Sequence, residues 1–292
     1  MSIDLSELAA RVLRPDDDAR AAARARLAQI TAPEAFGRFG ELIEWIAGVQ
    51  GQCPTHPLRL VRLIAIITPA RSGNPALSPL LEFSAVTPRL VEVSTDDAEH
   101  AFATGMAAAD EEVDGGVDLF IAAGLDTAST VPSAAAVAVL IGADVASVVG
   151  WGTGIDDREW MRRCAAVRDT ARLARRTIAE GGDLLHLLST LGSADLAATA
   201  GLLTQAAIRR TPVLLDGLVT TAAALLAHRL SPRTARWLLP ADASPDPAHA
   251  AALDKLRLRP VVDNAISLED GTAALLALPQ LQAAATLLAT ER

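Results

Sequence analysis

Two kinds of segment alternate along this 292-residue chain, and that alternation constrains its fold more than any other feature. Short, continuous apolar runs, typical of strands buried on both faces of a parallel sheet, occupy residues 60–68, 90–94, 117–122 and 212–216. Amphipathic, alanine-rich stretches indicate helices at 5–13, 17–30, 38–50, 97–110, 156–178, 183–191, 193–210, 218–229 and 272–289. Strands that alternate with helices form βαβ units, so the sequence predicts an α/β protein. We expect the first and last helical segments to pack together outside the sheet.

The charge and the hydropathy of the chain argue against two classes of protein, nucleic-acid binders and membrane-spanning proteins. The formal net charge of -9 and an aromatic content of 3% argue against a nucleic-acid partner, which needs basic stripes and stacking platforms. The two most apolar stretches, 133–150 and 212–230, are interrupted by Asp144 and Asp216, which disfavours a membrane span. The N-terminal residues lack a secretory pattern, and Cys53 and Cys164 lack CxxC spacing. We therefore expect a cytoplasmic protein without a metal site or a cofactor.

The turn at 151–157, which reads W-G-T-G-I-D-D, precedes the longest predicted helix. Its glycines would let the backbone approach a ligand, and the start of a helix presents free N–H groups to an anion. Arg163, two turns into the helix, would add a positive charge for a phosphate. The alternative is a plain glycine turn followed by an aspartate cap, and the pattern alone leaves both interpretations open.

Acidic residues stand at two places where a strand ends or a helix begins. Asp216 and Gly217 follow a buried run, and ligands of open α/β sheets gather at the carboxyl ends of strands. Glu269 and Asp270 precede the last helix, where one of them could act as a general base. Each acid could instead be a helix-start carboxylate that stabilises the helix dipole.

Several segments resemble motifs of the nicotinate-nucleotide:dimethylbenzimidazole phosphoribosyltransferase family, which acts in cobalamin lower-ligand synthesis. Residues 150–157 (GWGTGIDD) are similar to the family's G-R-G-T-G-L-D-D turn, and 268–279 (LEDGTAALLALP) to L-G-E-G-T-G-A-A-L-A-L-P. Further similarities lie at 30–51, at 209–230 and at 244–249 (SPDPAH). The C-terminal half matches almost without gaps.

This resemblance implies a doubly wound, mainly parallel sheet flanked by helices, usually in a homodimer. Residues 1–292 would form one α/β domain, with 1–50 and 272–292 contributing to a small helical lobe. It also implies a reaction in which a benzimidazole nitrogen displaces nicotinate from C1′ of nicotinate mononucleotide. A family glutamate takes the proton, and backbone amides with a lysine hold the 5′-phosphate.

Carried over position by position, the resemblance assigns substrate and phosphate binding to Gly152, Thr153, Gly154, Arg163, Asp216, Gly217, Ser244, Ser129 and Thr130. Arg163 stands at the lysine position and keeps the positive charge. Asp270 stands at the position of the catalytic glutamate, one methylene shorter, and Glu269 replaces the preceding glycine. Either carboxylate is therefore a candidate for the base.

Other family motifs are altered. The family's G-E-M-G-I-G-N-T-T loop corresponds to 124–131 (GLDTASTV), its A-D-H-G turn to 67–70 (ITPA), and the following helical stretch to a Pro- and Gly-rich loop at 68–88. Three hypotheses follow. The chain is a related phosphoribosyltransferase that binds nicotinate mononucleotide or a similar ribotide with a different acceptor, or it is the dimethylbenzimidazole transferase itself. Alternatively it is a degenerate binding protein, or a subunit that assembles with a full-length family member.

Overall fold

Five parallel strands form the centre of the molecule. A computed structural model describes residues 3–68, 78–95, 97–124, 129–151 and 156–289. Within them the strands are β1 (Val61–Ile67), β2 (Thr87–Glu92), β3 (Leu119–Gly124), β4 (Val213–Asp216) and β5 (Leu238–Pro240). They pair in the order β2-β1-β3-β4-β5, and every neighbouring pair is parallel. The predicted α/β class with a parallel sheet is confirmed.

Helices surround this sheet. Those in the described residues are α1 (Leu5–Arg11), α2 (Asp17–Ile30), α3 (Gly37–Gln50), α4 (Ser78–Ser84), α5 (Ala98–Asp114), α6 (Thr130–Ile141), α7 (Val145–Val148), α8 (Asp157–Ala179), α9 (Leu184–Leu191), α10 (Ala194–Ile208), α11 (Gly217–Leu230), α12 (Pro247–Leu256) and α13 (Thr272–Leu287). In the described part of the chain, no helix combines the length and the apolar character needed to cross a membrane.

Alternating strand residues build a separate core on each face of the sheet. Ile64, Phe120 and Leu215 point to the first face, where they join apolar residues of α5, α6 and α8–α12. Leu63 and Ile121 point to the second face, which is covered by α2, α3 and α13, with α4 at its margin. Because helices cover both faces and the strand order reverses between β1 and β3, the doubly wound arrangement is confirmed.

Two of the N-terminal helices pack with the last helix, as the sequence predicts, but α1 instead contacts α10 and α11 on the first face of the sheet. Helix α2 packs on α3, and α3 packs on α13. All three contribute to the second-face core. The division of the chain into one domain with a small lobe stays a prediction.

The structure differs from several of the predicted elements. Strand β2 begins at Thr87, three residues before the predicted run at 90–94, because Thr87 pairs with Arg62 of β1. The segment 68–88 is not a continuous loop, since its described part contains α4. Strand β5 was not predicted, because three residues are too short to stand out as an apolar run.

Two glycines allow α5 and α10 to meet backbone to backbone. A Cβ atom on Gly201 would lie 2.0 Å from the carbonyl oxygen of Phe102, and one on Gly105 would lie 1.8 Å from that of Ala198. No atom of a side chain can move aside here, because the obstacle is the neighbouring helix backbone. The first-face core therefore depends on glycine at both positions.

We expect Gly201→Ala to lower the free energy of unfolding by about 1–3 kcal/mol, because α5 and α10 must separate to admit the methyl group. Urea denaturation of the variant and the parent protein measures this difference. Gly105→Ala should behave in the same way. Equal stability of Gly201→Ala and the parent protein would show that the two helices can move apart without cost.

Candidate active site

Asp216 lies at the carboxyl end of β4, directly before α11. It occupies the N-cap position of α11 but makes no side-chain cap there. Instead, its Oδ2 accepts a hydrogen bond from the backbone N–H of Ala274, in the first turn of α13, at 3.3 Å. The side chain is buried. Asp216 therefore connects the sheet edge to the last helix.

Glu269 makes the reciprocal contact. It lies just before α13, and its Oε1 accepts a hydrogen bond from the N–H of Leu218, in the first turn of α11, at 2.8 Å. Its carbonyl oxygen accepts from the N–H of Gly124 at the end of β3, at 2.9 Å. Each carboxylate thus binds the positive N-terminal end of the other acid's helix.

Gly217 makes this crossing possible. Its φ angle is +81°, a conformation that favours glycine, and a Cβ atom there would lie 2.5 Å from Cγ of Glu269. Any larger residue would push the Glu269 side chain away from α11. The structure thus gives the predicted site residue Gly217 a steric role beside the carboxylate.

Burial raises the pKa of two acids at this edge. Loss of solvation is the main cause for Asp216, whose pKa rises to about 8, and the negative charges of Asp270 and Glu269 add to it. Loss of solvation also raises the pKa of Glu269 to about 7, with a contribution from the charge of Asp246. Asp270 is buried as well, and its Oδ1 accepts from the N–H of Thr272 at 3.0 Å. Asp216, Glu269 and Asp270 therefore each accept a hydrogen bond from a backbone N–H at the start of a helix.

Asp246 joins the acids to Arg163. Its Oδ1 caps α12, accepting from the N–H groups of Ala248 at 2.8 Å and His249 at 3.2 Å. Burial raises the pKa of Asp246, while those hydrogen bonds and the positive charge of Arg163 oppose the rise. The charge of Arg163 lowers the pKa of Asp246, and the charge of Asp246 raises the pKa of Glu269. The three groups therefore lie in one region.

Ser244 and the start of the predicted phosphate turn lie beside Asp246. The Oγ of Ser244 accepts from the N–H of Asp246 at 3.3 Å. A Cβ atom on Gly150 would lie 3.2 Å from Oδ2 of Asp246, so the turn begins against this side chain. Asp156 caps α8 by accepting from the N–H of Glu159 at 2.8 Å. Gly152, Thr153 and Gly154 lie outside the described residues.

Ser129 and Thr130 lie at the start of α6, after the end of β3. The hydroxyl of Ser129 donates to the carboxylate of Asp195, and Ser193 donates to the same carboxylate at 2.5 Å. Ser129 and Asp195 are both buried in this small polar network, at the starts of α6 and α10. Ser129 is therefore hydrogen bonded to Asp195. Among the described residues, no hydrogen bond connects it to Asp216, Glu269 or Asp270.

Asp246 and His249 were missed as site residues, although both fall in the segment 244–249. His249 is buried, with Nδ1 3.1 Å from the Thr221 hydroxyl and Nε2 3.2 Å from the Asp242 carbonyl. Burial lowers its pKa, so the ring favours its neutral form. His249 therefore supports the site as a hydrogen-bonded core residue.

These contacts define what the edge can do chemically. A carboxyl group with a pKa near neutrality can take up or release a proton at physiological pH, and Arg163 supplies a positive charge nearby. Among the residues that the structure describes, no cluster of three or more His, Cys, Asp or Glu side chains is arranged to hold a metal ion.

Known proteins resemble the chain over most of its length. A family model described as phosphoribosyltransferase matches residues 92–291. A nicotinate-nucleotide–dimethylbenzimidazole phosphoribosyltransferase of Mycobacterium ulcerans is 37% identical, over 96% of this chain and 92% of the relative. The protein of that name in Streptomyces avermitilis is 35% identical, over 99% of this chain and 91% of the relative. The crystal structure of CobT from Thermus thermophilus aligns with a TM-score of 0.81 and 26% identity, over 93% of this chain and 96% of that one.

The relatives contain segments that this chain lacks. The match to the Mycobacterium ulcerans protein extends over 333 aligned positions, more than the 292 residues present here. The shared part nevertheless includes the strand ends and helix starts that carry the acids, since the family model continues to residue 291.

Proposed function

Because the chain belongs to the nicotinate-nucleotide–dimethylbenzimidazole phosphoribosyltransferase family, we propose that it transfers the phosphoribosyl group of nicotinate mononucleotide to an aromatic nitrogen base. A ring nitrogen of the base forms a bond to C1′, and the bond from C1′ to nicotinate breaks with its electron pair on nicotinate. The proton of the attacking ring passes to a carboxylate of the protein. The names of the relatives support a base of the benzimidazole class.

Glu269 is the proton acceptor in this proposal. A general base works best when its pKa lies near the working pH, and the pKa of Glu269 is about 7. The hydrogen bond from Leu218 fixes the direction of the carboxylate, and the side chain is half-buried, so it is accessible. Asp270 stands at the family's glutamate position but is buried against the start of its own helix. It remains the second candidate for the same role.

The donor phosphate is proposed to bind beside Arg163. The crossed hydrogen bonds of Asp216 and Glu269 are the main support for the proposal. They hold Glu269, whose pKa is near neutrality, at the carboxyl edge of the sheet, in the region that also contains Arg163 and Asp246. Ser244 borders this region. The amides of Gly152, Thr153 and Gly154 would complete the phosphate contacts. Thr130 is proposed as a polar contact to the nucleotide, and Ser129, which is buried and bonded to Asp195, as a support for the start of α6.

The family membership supports an active enzyme over a degenerate binding protein or a non-catalytic subunit of a hetero-oligomer. We propose that it works as a homodimer, as the resemblance implies, with a heteromer formed with a full-length member as the alternative. A reducing, cytoplasmic setting is consistent with Cys53 and Cys164, which are free thiols.

A calorimetric titration with nicotinate mononucleotide, and with nicotinate riboside as control, tests the donor. Saturable binding that needs the 5′-phosphate supports the proposal, and addition of 5,6-dimethylbenzimidazole should then release nicotinate. If neither compound binds, the donor site is absent and the proposal is wrong. Binding without release of nicotinate would contradict transfer to a benzimidazole and favour the alternative of a binding protein.

We expect Arg163→Ala to weaken nicotinate mononucleotide binding about tenfold to a hundredfold, because one charged hydrogen bond to a phosphate contributes about 1.5–3 kcal/mol. The matched control is Arg162→Ala, which removes an exposed arginine of the same helix that pairs with Glu159. Calorimetry of both variants gives the comparison. An unchanged affinity in Arg163→Ala would remove this residue from the phosphate site.

A further inference from the structure

A cavity lies at the opposite edge of the sheet from the candidate active site. Helices α11 and α12 begin at the carboxyl edge, and residues of their last turns, His228 and Leu256, line this cavity. Leu238 and Leu239, at the beginning of β5, line it as well. Its volume is about 630 Å³, which is within the range of small-molecule sites.

Arginines dominate the wall of this cavity, which we call the arginine pocket. Six line it: Arg20, Arg24, Arg38, Arg236, Arg257 and Arg259. Among the described residues of the lining, the acids are Glu41 and Glu44 alone. The pocket is therefore positive in a chain whose formal net charge is -9.

The two acids neutralise only part of this charge. Arg24 forms a bidentate pair with Glu44, at 2.9 and 2.6 Å. Glu41 is shared by Arg38, at 2.5 Å, and Arg259, at 3.3 Å. Within the part of the chain that the structure describes, Arg236 and Arg257 have no carboxylate within ion-pair distance, and both side chains are exposed. These two guanidinium groups are available to an anion.

Two buried nitrogen atoms of the lining also lack partners within the described structure. They are Nε of Arg38, a donor, and Nδ1 of His228. Burial, and then the charge of Lys255, lower the pKa of His228, while a backbone hydrogen bond at Pro232 opposes the shift, so the environment favours the neutral ring. Neither atom exposes as much as 1 Å² to solvent, so the charged groups and the apolar wall determine which ligand fits the pocket.

The remaining lining is apolar. Leu42, Leu238, Leu239 and Leu256 form one part of the wall, and the half-buried Trp45 adds an aromatic surface. A ligand that fits must therefore combine negative charge for the arginines with a flat or apolar body. Inorganic phosphate has only the first of these.

We propose that the arginine pocket binds a nucleotide-class organic phosphate, at a site separate from the transferase centre. Guanidinium groups bind phosphate through paired, charge-assisted hydrogen bonds, which suits Arg236 and Arg257. The base would lie against the apolar wall. The site does not depend on any residue of the proposed catalytic cluster.

The test is a calorimetric titration of the whole protein with ATP, compared with inorganic pyrophosphate. We expect ATP to saturate one site and pyrophosphate to bind at least tenfold more weakly. The double variant Arg236→Gln/Arg257→Gln should lose at least tenfold in ATP affinity. Because both residues are exposed, the melting temperature should stay unchanged.

The matched control is Arg168→Gln/Arg172→Gln, which removes the same charge from exposed positions on α8, a helix outside the pocket lining. Its ATP affinity should equal that of the parent protein. The proposal is overturned if ATP does not bind, if the pocket variant binds ATP as well as the parent, or if the control loses as much. Equal affinities for pyrophosphate and ATP would overturn the nucleotide class.

Discussion

Replacement of Glu269 by glutamine is expected to reduce kcat at least about 100-fold in the nicotinate mononucleotide transfer, because the amide cannot accept the proton. The fold should persist, since the glutamine oxygen can still accept the N–H of Leu218. The Glu269 carboxylate is needed only as the new bond forms, so KM should change less than kcat.

The pH profile distinguishes a base from a positioning residue. With a pKa of about 7, Glu269 carries a proton below neutrality and cannot act as a base there. In the parent protein kcat/KM should therefore rise as pH increases through about 7. The Glu269→Gln variant should lack this rise, and circular dichroism should confirm its native helix content.

Asp270→Asn is the comparison variant, because the two acids are neighbours and the sequence leaves their roles open. We expect it to lower turnover less than Glu269→Gln does and to keep the rise near pH 7. Full activity in Glu269→Gln, together with loss of turnover in Asp270→Asn, would assign the base to Asp270 and contradict our proposal.

The alternation of segments was sufficient to predict the layers of the fold, because periodicity depends on local sequence. Helix α2 was predicted with the bounds that the structure shows, Asp17–Ile30. Helix α6 was not predicted, since apolar residues surround it and Ser133–Ala138 are all buried. A helix without a polar face has no amphipathic pattern to detect.

The individual acids of the site were also predictable, because a strand end and a helix start are local features. Their crossed contacts were not, since Leu218 and Glu269 are 51 residues apart in sequence. The link through Asp246 was missed for the same reason. Its proximity to Glu269 and Arg163 depends on how α8, α12 and α13 are placed by the sheet.

Asp216 has a consequence for stability that can be measured without any substrate. Its pKa is about 8 in the folded protein, against an ordinary value of 3.8. Between about pH 4 and pH 8 the folded protein therefore holds a proton that the unfolded chain has released. Because the unfolded state binds fewer protons, the free energy of unfolding must fall as pH rises through this window. The full effect is on the order of 5 kcal/mol, at about 1.4 kcal/mol per pKa unit.

We therefore expect Asp216→Asn to be more stable than the parent protein at pH 9, by a melting-temperature difference on the order of 10 °C. Asparagine cannot ionise, and its side-chain oxygen can still accept the N–H of Ala274. At pH 5 the parent Asp216 is already neutral, so the difference should largely disappear.

The control is Asp254→Asn, an exposed acid of α12, which should follow the parent protein at every pH. Thermal unfolding at pH 5, 7 and 9 provides the data. If the parent and Asp216→Asn lose stability in parallel from pH 5 to pH 9, Asp216 is not the group that holds the proton.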